Sequence, residues 1–136
     1  MSTSARIVLS DGREFRGKLF GARGRRSGPL IISASATGYE KELTDVAHAG
    51  AIVLFTTPHI GNTGLNLAEA GVDSLAAAGV IARDPVSRSS SAHAAVELED
   101  QMRQDGVVGI CEVDTRAIVR HVRGRDMTAT IVSEED

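Results

Sequence analysis

The run Ala51-Ile52-Val53-Leu54-Phe55-Thr56 constrains the fold more than any other segment, because it carries no polar residue until its last position. A strand with one wet face alternates apolar and polar side chains, whereas a strand without alternation needs cover on both faces. Thr57-Pro58 ends the run, since proline has no N–H to give to a ladder. Ala77 to Ala82 has the same character. Sheets covered on both faces are built with helices that cross over them, which places the chain in the α/β class.

The other segments fit that class. Arg6 to Leu9 and Arg13 to Phe20 flank Ser10-Asp11-Gly12, where the Asp-Gly pair supplies the positive φ that a tight turn needs, and an N-terminal β-hairpin is predicted. Gly21 to Gly28 mixes arginine and glycine without apolar periodicity and is predicted as a solvated loop. Leu30 to Ser35 is the next strand. Ser87 to Ser91 caps a helix from Ala92 to Gln104, with Glu99 and Arg103 paired outside its apolar stripe, and Gly106 stops it. Val107 to Val113 is a strand, Asp114 caps a second helix through Arg123 that stops at Gly124, and Met127 to Val132 is the last strand before the acidic stretch Ser133 to Asp136. This order predicts one α/β domain over residues 1–136 with two main helices.

A chain of 136 residues is long enough for a single core that buries roughly two-thirds of its unfolded surface. The aromatic set is Phe15, Phe20, Tyr39 and Phe55, so that core rests on aliphatic side chains and no base-stacking platform is available. With 15 basic and 18 acidic residues, the chain lacks the positive field that nonspecific nucleic-acid or anionic-membrane binding requires. Neither partner is expected. No apolar run approaches the roughly 20 residues needed to span a bilayer, and Met1 to Arg6 lacks a signal-peptide pattern. Cys111 is alone, which rules out an internal disulfide and fits a cytoplasmic location.

Candidate chemistry is sparse. Cys111 has Gly109 before it, as a strained nucleophile elbow requires, but Val113 stands where the second glycine belongs. A β-branched residue cannot relieve crowding there, so Cys111 is read as a packed strand residue. His48, His59, His93 and His121 are too widely spaced for a zinc site, and neither a metal nor a cofactor is expected. The glycines at 17, 21, 24 and 28 precede no Lys-Ser or Lys-Thr pair and do not form a phosphate loop. Arg23, Arg25 and Arg26 read as a solvated turn that an acidic partner surface could use. Arg116, Arg120 and Arg123 follow at helical spacing, a pattern of solvated faces and less often of docking faces. The stretch His59 to Asn66, with Gly61 and Gly64 around Asn62 and Thr63, has loop chemistry that exposes backbone amides.

Three ordered blocks carry the reading further. They are Thr37-Gly38-Tyr39 with Leu43-Thr44-Asp45, then Thr56-Thr57-Pro58-His59-Ile60-Gly61-Asn62, then Val113-Asp114-Thr115-Arg116-Ala117-Ile118-Val119-Arg120-His121-Val122-Arg123. With Asp11-Gly12 and Arg83-Asp84 in matching order, the chain resembles the N-terminal domain of the small subunit of glutamine-hydrolysing carbamoyl phosphate synthetase, without the class I amidotransferase domain. The resemblance implies a layered, swivelling β/β/α domain that packs against the large synthetase subunit and the glutaminase domain. It also implies that glutamine hydrolysis belongs to that second domain, with its Cys-His-Glu triad, and that the ammonia is used by the large subunit in a complex serving pyrimidine and arginine biosynthesis. No catalytic residue is then expected here, and Thr37, Gly38, Tyr39, Pro58, His59, Gly61 and Asn62 become interface or loop candidates.

The departures from the family pattern cluster. A glutamine-binding serine of the family corresponds to Ala47, Ser33-Ala34-Ser35-Ala36 replaces an Asn-Thr-x-Met stretch, Glu40-Lys41-Glu42 replaces a Gln-Glu-apolar stretch, and Thr57 stands where an aromatic is usual. The first expectation is a non-catalytic docking and scaffold domain of the synthetase. The alternatives are a stand-alone module binding a small anion or a protein partner, and a free-standing enzyme using Cys111 or His59.

Overall fold

The computed structural model describes residues 4–33, 49–56, 75–83 and 99–133. Strands β1 (Ser4–Leu9) and β2 (Glu14–Leu19) form the expected hairpin, with Ile7 opposite Phe15. Its turn closes through the Gly12 N–H on the Leu9 carbonyl at 2.8 Å, and Gly12 takes φ 95°, a conformation that a Cβ disfavours. Strands β3 (Arg25–Ser33), β4 (Ile52–Phe55), β5 (Gly79–Ile81) and β6 (Val108–Cys111) run parallel to one another, and β7 (Thr128–Ser133) runs antiparallel to β3. Residues 99–105 are helical and are termed α1, and α2 spans Thr115–Val122.

The unbroken apolar runs do what their composition requires. Along β4, Ile52 and Leu54 enter one core cluster while Val53 and Phe55 enter another, and β6 divides in the same way, Val108 and Ile110 against Cys111. The first cluster fills the barrel interior with Ile7, Leu9 and Ile131 and is closed at one mouth by Ile118 and Val122 of α2. The second lies outside, where Met102 of α1 packs with Phe20, Phe55 and Val80. Each fully buried Leu, Ile or Phe contributes about 1.5–3 kcal/mol, so both faces of β4 to β6 are stabilising.

Two expectations are corrected. The α/β class holds, but the layered β/β/α arrangement does not: the described strands form one closed barrel in the order β1-β2-β6-β5-β4-β3-β7. Closure follows because β7 pairs with β1 on one side and β3 on the other, while β2 pairs with β6 through Lys18 opposite Cys111, and a closed sheet has no edge to protect. The predicted loop Gly21 to Gly28 is overturned in its second half. Arg25 to Gly28 belong to β3, in register with Val132 to Ala129, because ladder pairing uses the backbone and leaves those side chains in water. Ser27 and Thr130 add a hydroxyl contact of 2.7 Å across the pair.

The first predicted helix is described only from residue 99, and its Glu99–Arg103 ion pair is present at 3.1 Å. Asp114 caps α2 as expected, accepting the Ala117 N–H at 3.0 Å.

Candidate functional site: an arginine groove at the carboxyl rim

Because β3 to β6 are parallel, their carboxyl ends share one rim, the end of a parallel sheet or barrel where ligands characteristically bind. The chain leaves it at Ser33, Thr56 and Arg83, and turns through Glu112 into α2. Between rim and helix lies a groove lined by Thr56, Arg83 and Cys111 on the strand side and by Arg116, Arg120 and Arg123 on the helix side. All four arginines are exposed.

The acidic groups of the groove are already engaged. Glu112 lies 3.4 Å from Lys18, Asp114 caps the helix, and Glu99 both pairs with Arg103 and accepts the Gly21 N–H at 3.0 Å. Among the described residues, no carboxylate is within ion-pair distance of Arg83, Arg116, Arg120 or Arg123. Among the described residues the groove therefore presents uncompensated positive charge, although the chain as a whole is net acidic.

Glu112 has φ 53°, the positive-φ non-glycine residue among those described, and its N–H donates to the Arg83 carbonyl at 2.9 Å. A non-glycine residue in this region is strained and persists where its surroundings hold it. The bond to Arg83 ties the β5 exit to the start of α2 and so fixes the two walls of the groove. Cys111 precedes this turn, is in no disulfide, and packs with Phe55 and Met102 in the outer cluster. The strained residue is therefore the one after the cysteine, unlike a nucleophile elbow.

On its other side α2 borders an apolar hollow formed with Leu30, Ile32 and Met127, and Val119 and Arg123 line both depressions. Ile32 is 41% exposed, the large hydrophobic residue left in water among those described.

A polar cluster anchors α2 to the hairpin turn. His121 Nε2 lies 2.6 Å from Asp11 Oδ2, Arg125 lies 3.7 Å from the same oxygen and also donates to the His121 carbonyl, and the His121 ring meets Phe15 edge-on at 6.2 Å. The Arg13 amide first, then the His121 ring and the Arg125 charge, hold the Asp11 carboxyl below the usual carboxylate range.

Thr37, Gly38, Tyr39, Ala47, Pro58, His59, Gly61 and Asn62 lie outside the described residues. The structure unites the Arg116, Arg120 and Arg123 row with Arg83, which the sequence marks as part of the Arg83-Asp84 stretch of the resemblance but not as a partner of the row. It also adds Glu112 and Ile32, for which residue type supplies no signal.

Comparison with known proteins agrees with the ordered blocks. Residues 7–132 match the family described as carbamoyl-phosphate synthase small chain, CPSase domain. The carbamoyl phosphate synthase small chain of Mycolicibacterium paratuberculosis is 45% identical over 92% of this chain and 34% of its own length, and that of Mycobacterium tuberculosis is 42% identical over 97% and 36%. The small chain of Streptomyces avermitilis is 40% identical over 86% and 31%. This chain thus spans about a third of the length of these relatives. Among solved structures, an aminopeptidase from Aneurinibacillus sp. strain AM-1 is similar with a TM-score of 0.52 at 18% identity, over 96% of this chain and 30% of that one, a likeness of fold alone. With the family matched across nearly its whole described length, the chain belongs to the carbamoyl-phosphate synthase small chain family and carries its CPSase domain.

Proposed function

We propose that this chain is a non-catalytic docking and scaffold domain of a glutamine-dependent carbamoyl phosphate synthetase. It acts in the cytoplasm, holding a glutaminase domain and the large synthetase subunit together so that glutamine-derived ammonia reaches the large subunit, in support of pyrimidine and arginine biosynthesis. The family match over residues 7–132 carries this reading. The uncompensated arginine groove supports it, because such a surface suits recognition of an acidic partner better than attack on a carbonyl. Thr37, Gly38, Tyr39, Pro58, His59, Gly61 and Asn62 are assigned to the interface. Ala47 replaces a hydroxyl by a methyl group at the family's glutamine-binding position, so this domain adds no side-chain hydrogen bond to glutamine there.

Sedimentation velocity of the chain mixed with a purified large synthetase subunit, with and without a separate glutaminase domain, tests the reading. A faster-sedimenting complex containing the chain is expected in at least the three-component mixture. Free sedimentation of the chain in both mixtures overturns it.

A further inference from the structure

The arrangement of charge around α2 that is unpaired among the described residues specifies what kind of surface would seat there. Arg116, Arg120 and Arg123 stand at i, i+4 and i+7 on or just beyond the helix, with Arg83 across the groove. At 1.5 Å per residue the row extends about 10 Å along the helix axis. One small anion satisfies donors that converge within hydrogen-bond reach of it. Arginines whose backbone positions spread over two helical turns, with a fourth on the opposite wall, instead suit several carboxylates carried on one segment. The groove also adjoins the exposed Ile32 through Val119 and Arg123, which line both hollows. An apolar contact beside an arginine rim is the composition of a protein interface, where Arg is enriched and isolated aliphatics find cover.

We propose that the groove between the carboxyl rim of β4 to β6 and helix α2 is the docking seat for an acidic segment of the large synthetase subunit, with an aliphatic side chain of that segment covering Ile32. The inference rests on the docking reading above and names the surface that performs it. The carboxylates of Asp114, Glu112 and Glu99 are committed to the helix amide, Lys18 and Arg103, so they do not neutralise the row from within. The Glu112 turn, tied to Arg83, holds the two walls at a set spacing, so little ordering is needed when the partner arrives.

The test compares two charge reversals of equal magnitude in the full chain. Arg120→Glu lies in the groove, whereas Arg25→Glu lies at the far end of β3, where Arg25 is exposed. Affinity for the large synthetase subunit is measured for both variants, after circular dichroism shows the parent's spectrum and melting temperature. Arg120→Glu is expected to weaken binding at least about tenfold and Arg25→Glu to leave it within about twofold. Arg120→Gln, which keeps most of the aliphatic stem, is expected to give a smaller loss in the same direction and serves if the reversal disturbs folding. Equal affinities for parent and Arg120 variants, or equal losses at positions 25 and 120, overturn the groove assignment while leaving docking intact. A parent chain that binds the large subunit neither alone nor together with the glutaminase domain overturns both. Saturable displacement of the partner by inorganic phosphate at constant ionic strength also overturns the proposal, in favour of a small-anion site.

Discussion

At the scale of single residues, a tight constraint arises where two backbones touch. A Cβ built at Gly109 would stand 2.1 Å from the Phe20 carbonyl oxygen and 2.7 Å from Met102 Cε. The methionine can turn aside, but the carbonyl accepts no such shift, because Phe20 and Gly109 are joined by a 3.0 Å hydrogen bond between backbones. Gly109→Ala is therefore expected to lower stability by about 3 kcal/mol in urea unfolding; a loss under about 0.5 kcal/mol would show that the strands separate at little cost. This glycine looks, in sequence, like half of a nucleophile elbow around Cys111, and its requirement is instead steric. A single sequence does not distinguish the two, because both demand the absence of a side chain at the same position. Glu112 is illegible for a related reason: its positive φ accompanies a hydrogen bond to Arg83, a residue 29 positions earlier, and glutamate gives no sign of it.

At the scale of elements, the hairpin and α2 are independently legible and their junction is not. Asp11-Gly12 announces the turn and Asp114 announces the helix, yet the contact of Asp11 with His121 links positions 110 apart. The Asp11 pKa is lowered in the folded state, so its contribution to stability is present above the unfolded-state pKa of about 3.9 and is lost as pH falls through the folded value. Asp11→Asn is expected to be less stable than the parent at pH 6, and the two should converge as the pH drops below the ordinary aspartate range. Chemical denaturation at a series of pH values measures this, and a constant difference between the chains down to the lowest pH would contradict it. Strand β3 shows the limit of pattern reading. Its last residues, Leu30 to Ser33, fall within the predicted strand, but Arg25 to Pro29 are mostly exposed and contain the arginine, serine, glycine and proline expected of a loop. Their order comes from pairing with β7, a partner about a hundred residues away, and backbone pairing leaves no periodic trace when the side chains face water.

At the scale of the whole molecule, the non-alternating runs 51–56 and 77–82 already require a sheet covered on both faces. They do not determine whether that sheet stays open in layers or closes. Closure depends on β7 reaching both β1 and β3, which is long-range information. The same holds for the groove: three of its arginines are visible as a helical row, while the fourth, Arg83, and the neighbouring Ile32 are brought in by topology. Among the described residues, the carboxyl rim gathers arginines that no carboxylate pairs, and on the proposed reading this is the side of the barrel that a partner polypeptide joins. The direct measurement is the rate of glutamine-dependent carbamoyl phosphate formation by a large subunit and a separate glutaminase domain, with this chain present and absent. Adding the chain is expected to raise the rate, and omitting the glutaminase domain to abolish it. An unchanged rate, or formation that persists with the chain as the sole source of ammonia release, would contradict the docking reading.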